Sequence, residues 1–364
     1  MSTMKAFTSR YLAAVAAVAA PLAIVSASVA AEPGDAPDTV NYNDGAIHPW
    51  HIEGNVWLLG GEPNQNNVVV SVGDEGALLV DTGSAETSGK LIAALRQLEA
   101  EHSNDQTDLR TIINTGPEAD HVGANAEVRK AGAMVVAGNF AHDNEGLPPG
   151  ADVIGHENLL AYLVADHAGE GLWPQDTVGT DVYNTLFNGE AIQLYHPHKA
   201  TNDGVEMVMF HHSDVLVTGE VVSMVSYPQI DVTRGGTIDG ELVALNHILD
   251  IAVPNMRAEG GTFIVPGHGR ICDQSDIVNY KNILTTIRNR IQYYKNEGKT
   301  LAQVQALKPT ADYDGRWAAK DGLGSADTFV ATVYTTLPPK GPSFSMQTTT
   351  LVPATAVVSG GKAY

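Results

Sequence analysis

A four-layer αββα sandwich, an α/β (α+β) arrangement of two β-sheets with helices on their outer faces, is the fold this sequence predicts. Three observations lead there. Short apolar runs of strand character come in two sets, one between Val56 and Ala137 and one between Ala191 and Val265. Each set is joined by segments whose apolar residues recur at helical spacing. The 364 residues are 43% hydrophobic with a mean hydropathy of -0.08, enough for one large soluble domain or two modest ones.

In the first set, Val56–Leu59, Asn67–Val72 and Ala77–Asp81 read as strands, the last two joined through the turn Gly73-Asp74-Glu75-Gly76. Leu91, Ile92, Leu95 and Leu98 mark a helix over about 87–101, and Thr111–Thr115 is the next strand. A short helix over about 124–130 leads to a strand at Ala133–Ala137. Residues 139–188, rich in Gly, Pro, His and Asp, read as an irregular rim rather than core. In the second set Ala191–His196, Val205–Phe210 and Val215–Thr218 are strands, and His211-His212-Ser213-Asp214 is a hairpin turn. Helices over about 239–251 and 276–296 flank a strand at Thr262–Val265, and a helical pair over 301–307 and 326–336 follows. The domain is expected to span 46–297 and the helical extension 298–337. A tail of Pro, Ser, Thr, Gly and Ala over 338–364 is expected to be disordered.

Lys5 and Arg10 precede an uncharged stretch from Tyr11 to Ala31 with small residues at Ser28 and Ala30, the form of a secretory signal over 1–31. Residues 32–45 read as a linker, and the mature chain is expected in the periplasm or outside the cell. A net charge of -21 disfavours nucleic acid and anionic membrane as partners and leaves a small-molecule substrate. Cys272 is the single cysteine, so no internal disulfide can form; a buried structural thiol is the better reading, a ligand role the weaker.

Several residues with metal-ligand chemistry fall at strand ends, where a rigid scaffold can fix their geometry. Asp81 opens Asp81-Thr82-Gly83; Asp120 and His121 lie in Asn114-Thr115-Gly116-Pro117-Glu118-Ala119-Asp120-His121-Val122-Gly123-Ala124-Asn125. Glu220 follows Val215–Gly219, and His268 ends Phe263-Ile264-Val265-Pro266-Gly267-His268. In order and spacing this set resembles the signature loops of the metallo-β-lactamase superfamily over about residues 46–297. The resemblance implies that Asp120, His121 and His268 form the second of that family's two metal sites, with Glu220 in place of the usual bridging aspartate. Asp81 would orient a ligand or its loop; a capping role for it is an equal alternative.

The family's first loop reads His-x-His-x-Asp-His, and Gly116 and Glu118 replace the two leading histidines here. Thr201, in His196-Pro197-His198-Lys199-Ala200-Thr201, takes the place of a further ligating histidine. A glycine, glutamate and threonine set does not hold zinc tightly, so the first site reads as lost. His198 is the histidine nearest the vacancy and fills it only by a local rearrangement. His196 is expected to pack or hydrogen-bond in the rim. Arg270 stands beside His268, where it either holds a substrate carboxylate or, the slightly favoured alternative, is paired at the surface. Tyr227–Asp231 either lines the pocket or packs as a loop.

The expected function is metal-dependent hydrolysis of a small ester, lactone, thioester or amide. It would use one zinc, or iron, in the second site, with Glu118 or Asp120 as general base. The alternatives are a non-catalytic or attenuated binding protein on the same scaffold, and a different metal-dependent reaction. No P-loop, dinucleotide-binding or Gly-x-Ser-x-Gly motif points elsewhere.

Overall fold

The computed structural model describes residues 45–60, 66–102, 109–133, 150–256 and 260–339. In it the two strand sets form two separate sheets. The first has seven strands in the order of the chain: β1 (Trp50–Glu53), β2 (Val56–Leu58), β3 (Val69–Gly73), β4 (Gly76–Val80), β5 (Leu109–Ile113), β6 (Asp152–His156) and β7 (Asp176–Val178). Its first four strands are antiparallel and β4 to β7 run parallel. The second sheet has the order β12-β11-β10-β9-β8, from β8 (Val182–Phe187), β9 (Glu190–Tyr195), β10 (Met207–Phe210), β11 (Val215–Ser223) and β12 (Phe263–His268). Only the β11–β12 pair in it is parallel.

Strand periodicity sorts the side chains into layers, since successive residues point to opposite faces. Val69, Leu78, Val80 and Ile113 meet Val208, Phe210, Val215, Val217 and Val265 between the sheets. The alternate residues Val70, Val72, Leu79 and Ile112 face helix α1 (Ser88–His102) through Leu91, Leu95 and Leu98. Met207, Met209 and Leu216 face the other way, onto helices α5 (Ile238–Ile251) and α6 (Gln274–Asn296) through Leu245, Ile248, Ile277, Leu284 and Ile287. These are the four layers of an αββα sandwich. No described helix is long and apolar enough to cross a membrane.

Past α6, helices α7 (Leu301–Ala306), α8 (Asp314–Trp317) and α9 (Ala326–Thr336) belong to the same core, because Val304, Trp317, Phe329, Val330 and Val333 join its cluster. Tyr227 is buried there, its ring stacked on Phe329 at 4.7 Å and its hydroxyl donating to Asp314 Oδ1 at 3.0 Å. It therefore packs the helical segment and does not line a pocket. Cys272 is buried too, and burial pushes its thiol up to about 12, which makes it a poor nucleophile and ligand.

One expectation needs correction. The described part of the region read as irregular, residues 150–188, contains β6, β7, β8 and helix α4 (Glu157–Ala165). Strand β6 lies inside the parallel run, between β5 and β7. Its five residues include Gly155 and His156, which hide the alternation. The following helix starts on His156, whose Nδ1 accepts from Asn158 N, a cap outside the usual Ser, Thr, Asp and Asn set. The hairpin turn at His211–Asp214 is as expected, with both histidines exposed. The strand expected at Ala133–Ala137 lies outside the described residues but for its first residue. So do the signal segment, all of the linker except Gly45 beside its boundary, and the tail except Pro338 and Pro339.

Candidate metal centre

The parallel strands β4, β5, β11 and β12 bring the candidate ligands together, Asp120 and His121 from the turn after β5, Glu220 from within β11 and His268 from the last residue of β12. Asp120 and His121 sit on α2 (Ala119–Val122), a single turn after β5. That turn is tied to the loop after β4: Thr82 N and Oγ1 both donate to His121 O, and Ala124 N donates to Gly83 O. Gly123 is needed there, since a Cβ would lie 3.1 Å from Ala85 N and 3.2 Å from Ser84 Cα. Asn125, the first residue of helix α3 (Asn125–Val128), completes the stitching by donating to Asn114 Oδ1 and Leu172 O and accepting from Thr82 Oγ1. The Asp-His-x-Gly-x-Asn pattern thus has a local structural cause at each fixed position.

Glu220 and His268 come from the second sheet. Gly219 takes φ +49° just before Glu220, where the β11–β12 register shifts. Gly267 lets the two strands close up, since its Cβ would stand 2.8 Å from Gly219 O. Asn67 donates to both Pro266 O and Gly269 O, at 2.8 Å each, and pins the His268 loop from the start of β3.

At the centre, ligand atoms of Asp120, His121 and His268 all lie within 4.8 Å of one another. His268 Nε2 is 3.3 Å from Asp120 Oδ2 and 2.7 Å from Glu220 Oε1, and His121 Nε2 is 3.0 Å from Glu220 Oε1. Zinc bonds of about 2.0–2.1 Å place tetrahedral ligand atoms about 3.3–3.4 Å apart, so this donor set fits such an ion in spacing and in chemistry. The other ring nitrogen of His121 is held from behind. Nδ1 lies 2.8 Å from Asp81 Oδ2, which also accepts from Thr115 Oγ1 at 2.6 Å and Asn66 Nδ2 at 2.9 Å. Asp81 Oδ1 accepts from Thr115 N at 2.8 Å. Asp81 is therefore in contact with a candidate ligand rather than capping a turn, and it is fully buried with φ +63°.

Charge follows from this packing. Burial opposes ionisation of Glu220, but hydrogen bonds and charge from His121 and His268 outweigh it and hold the carboxyl low. Burial likewise works against charge on both rings. Asp81 and Glu220 nevertheless raise His121 well above the ordinary imidazole range, and Asp120 and Glu220 bring His268 up to about 10. An ion bound here takes the place of those protons. Only Asp120, one-third exposed, opens the cluster to solvent.

Glu118 lies over Gly116: a Cβ at Gly116 would stand 2.4 Å from Glu118 Oε2. Its Oε1 accepts from Asn202 Nδ2 at 2.9 Å and is 4.0 Å from Arg234, while Oε2 is buried without a partner. Burial pushes this carboxyl up to about 7. Thr201 Oγ1 is also buried and unpartnered.

The structure brings together Asp120, His121, Glu220 and His268, with Asp81 behind them. His198 goes elsewhere: it bonds Asp181 and contacts His196 and Asp203, a group separate from the centre. Arg270 is an exposed side chain with both guanidinium ends on Asp276, at 2.9 and 2.6 Å, in the first turn of α6. It is paired there and not presented to a substrate. Thr115, Asn66, Asn202 and Arg234 were missed by sequence reasoning. Thr115 alone had a signal, its place at the end of a strand beside the ligand turn. A groove of about 840 Å³ lined by His51, Trp57, Glu75, His102 and Asn188 shares no residue with the centre.

A further buried carboxylate borders the site. Glu206 Oε2 has no partner, and burial pushes its carboxyl up to about 8. The folded state thus keeps a proton that the unfolded chain releases near pH 4.5, so stability falls as pH rises from about 4.5 to 8. Glu206→Gln is expected to remove that slope and to stabilise the protein above pH 8 by as much as about 5 kcal/mol. Urea unfolding at pH 5 and pH 8 checks this; equal slopes in both proteins would refute it.

The two-sheet sandwich and the ligands at its strand ends define a metallo-hydrolase-like fold. The sequence profile of the metallo-beta-lactamase superfamily matches residues 61–268, and the chain belongs to that superfamily. Solved structures are similar to the chain at low identity. One is the stereoselective inverting sec-alkylsulfatase Pisa1 from Pseudomonas sp., 12% identical with a TM-score of 0.56, covering 79% of this chain and 50% of its own. Others are a metallo-beta-lactamase from Pontibacter korlensis and the DIM-1 metallo-beta-lactamase. Each is 17% identical with a TM-score of 0.48 and covers 66% of this chain, and 99% and 98% of its own. This chain thus spans about half the length of the alkylsulfatase. No curated relative matches at a significant level.

Proposed function

We propose that this protein is an exported metal-dependent hydrolase of a small ester, lactone, thioester or amide. A single zinc would be held by Asp120, His121 and His268. The observation that carries the reading is the convergence of those three ligand atoms, backed by the Asp81 contact that fixes the His121 ring. Export is supported by the charged start and apolar stretch of residues 1–31.

Bound zinc would supply Lewis acidity and a water of lowered pKa. The remaining work falls to the chain. Glu118 is the proton acceptor, through the buried, unpartnered Oε2. Asn202 holds the other oxygen and sets the direction of the carboxylate. Glu220 lies between the two imidazoles, where its carboxylate would balance the charge of the ion that replaces their protons. Substrate enters past Asp120, the exposed member of the set.

The test is a panel of carboxylic esters, lactones, thioesters, amides and alkyl sulfates with zinc-loaded protein. Glu118→Gln is expected to lower kcat by about 10²–10⁴-fold with the ion content unchanged. Full activity in that variant would remove Glu118 from the mechanism. No turnover of any substrate by the loaded parent would leave a binding protein on the same scaffold.

A further inference from the structure

His196, His198 and Asp203 lie on the stretch between β9 and β10 and form a group that shares no residue with the centre described above. Their ligand atoms all lie within 4.8 Å of one another. Each imidazole has one nitrogen committed and one turned inward. His196 Nδ1 donates to Val205 O at 3.1 Å, which leaves Nε2 as the lone-pair nitrogen. That Nε2 is buried without a hydrogen-bond partner, on a side chain only 2% exposed, and stands 3.8 Å from Asp203 Oδ1. His198 Nε2 donates to Asp181 Oδ1 at 2.9 Å, so its Nδ1 carries the lone pair, also 3.8 Å from Asp203 Oδ1.

Both histidines therefore have the arrangement that ligating imidazoles use: the far N–H bound to a carbonyl or carboxylate, the near nitrogen free to bind. Lys199 N donates to Asp203 Oδ1 at 2.9 Å and steadies the carboxylate. The His156 ring stacks on His196 at 3.7 Å and 9°, and its own Nδ1 accepts from Asn158 N. It shields one face of His196 from water and is not a ligand through that nitrogen. A buried imidazole nitrogen left unpaired costs stability unless something occupies it.

We propose that His196 Nε2, His198 Nδ1 and Asp203 form a second metal site, for a divalent transition ion of the zinc or copper(II) class. Two imidazoles and one carboxylate suit such an ion and not magnesium or calcium, which favour all-oxygen sets. Separations of 3.8 Å need only a slight closing to reach the roughly 3.4 Å edges of a tetrahedron of zinc bonds. His198 is 59% exposed, so the fourth position faces solvent. The site stands independently of hydrolysis at Asp120, since it uses none of the same ligands.

Titration of chelator-stripped, full-length protein with cobalt(II), followed by visible absorption, with zinc content after dialysis, tests it. The parent is expected to bind two equivalents, and His198→Ala or Asp203→Asn one. His198 and Asp181 are exposed, at 59% and 77%, so their variants are expected to fold. Asp181→Asn is expected to weaken that equivalent by about 10–100-fold, as loss of a ligand's supporting carboxylate does. His198→Ala and Asp203→Asn proteins that bind with the parent's stoichiometry and affinity would overturn the site. A single equivalent lost only in His268→Ala would also overturn it, and would leave the hydrolase reading standing. A single equivalent lost in His198→Ala but kept in His268→Ala would support this site and remove the ion from the proposed catalytic centre.

Discussion

Replacing His268 with alanine is expected to remove one equivalent of bound ion and to lower any hydrolytic rate by on the order of 10³-fold or more. A bound ion supplies several kcal/mol of transition-state stabilisation, and each 1.4 kcal/mol is about a factor of ten. The argument rests on geometry. His268 Nε2 is the atom shared by both carboxylates, at 3.3 Å from Asp120 and 2.7 Å from Glu220, so no neighbour replaces it. Deleting it leaves Asp120 and His121 as two ligands from one helical turn, too few for a catalytic site that needs about three. The side chain sits at the end of β12, and the fold is built by Ile264 and Val265 before it, so far-ultraviolet circular dichroism should be unchanged. Metal analysis with parallel rate measurements decides the matter. Unaltered ion content in the variant would sink the assignment of His268, and unaltered rate with the ion gone would sink metal dependence.

The second large effect is expected at Asp81. Its carboxylate is fully buried and meets four donors: Thr115 N, Thr115 Oγ1, Asn66 Nδ2 and His121 Nδ1. Asp81→Ala takes the buried acceptor from Thr115 N, Thr115 Oγ1 and Asn66 Nδ2 and leaves His121 Nδ1 only Thr115 Oγ1, 2.9 Å away, and the expected loss is about 3–5 kcal/mol of stability. The His121 ring also loses the contact that directs Nε2 at the centre, so ion affinity should drop by about 10–100-fold. Asp81→Asn keeps the shape and tolerates φ +63°, since asparagine visits the left-handed region readily. It should therefore recover only part of the stability and part of the affinity, because its one amide oxygen serves the donors of a single carboxylate oxygen and its amide nitrogen brings a donor where the others need an acceptor. Urea unfolding and metal titration of both variants check these outcomes. An Asp81→Gly protein as stable as the parent would refute the network's weight, since relief of backbone strain would then offset all four hydrogen bonds.

Much of the scaffold was legible from residue pattern. Val69, Val70 and Val72, or Val215, Leu216 and Val217, alternate between two apolar faces because both faces of each sheet are covered, one by the other sheet and one by helices. Apolar runs ending in Asp81 and His268 placed these two side chains at strand ends, whereas Glu220, expected just past a strand, lies inside β11, which continues to Ser223. Residues 150–188 were not legible. A five-residue strand carrying Gly155 and His156 gains its stability from β5 and β7 on either side, and no local pattern records neighbours that far along the chain.

The same division runs through the sites. Residue identity and order were enough for the two-sheet sandwich, the Asp120–His121 turn with its distant His268, and the absence of the first site's histidines. What required the folded chain was the meeting of groups far apart in sequence. Glu220 Oε1 reaches His121 across 99 positions, and Asn202 turns Glu118 across 84. Arg270 paired with Asp276 at the surface, and His198 turned to Asp181 and Asp203 instead of the vacant first site. Periodicity acts on neighbours within a few residues, where backbone geometry sets which face a side chain takes. Rotamer and partner are set by atoms that arrive only when sheets and loops pack, so they are properties of the tertiary structure.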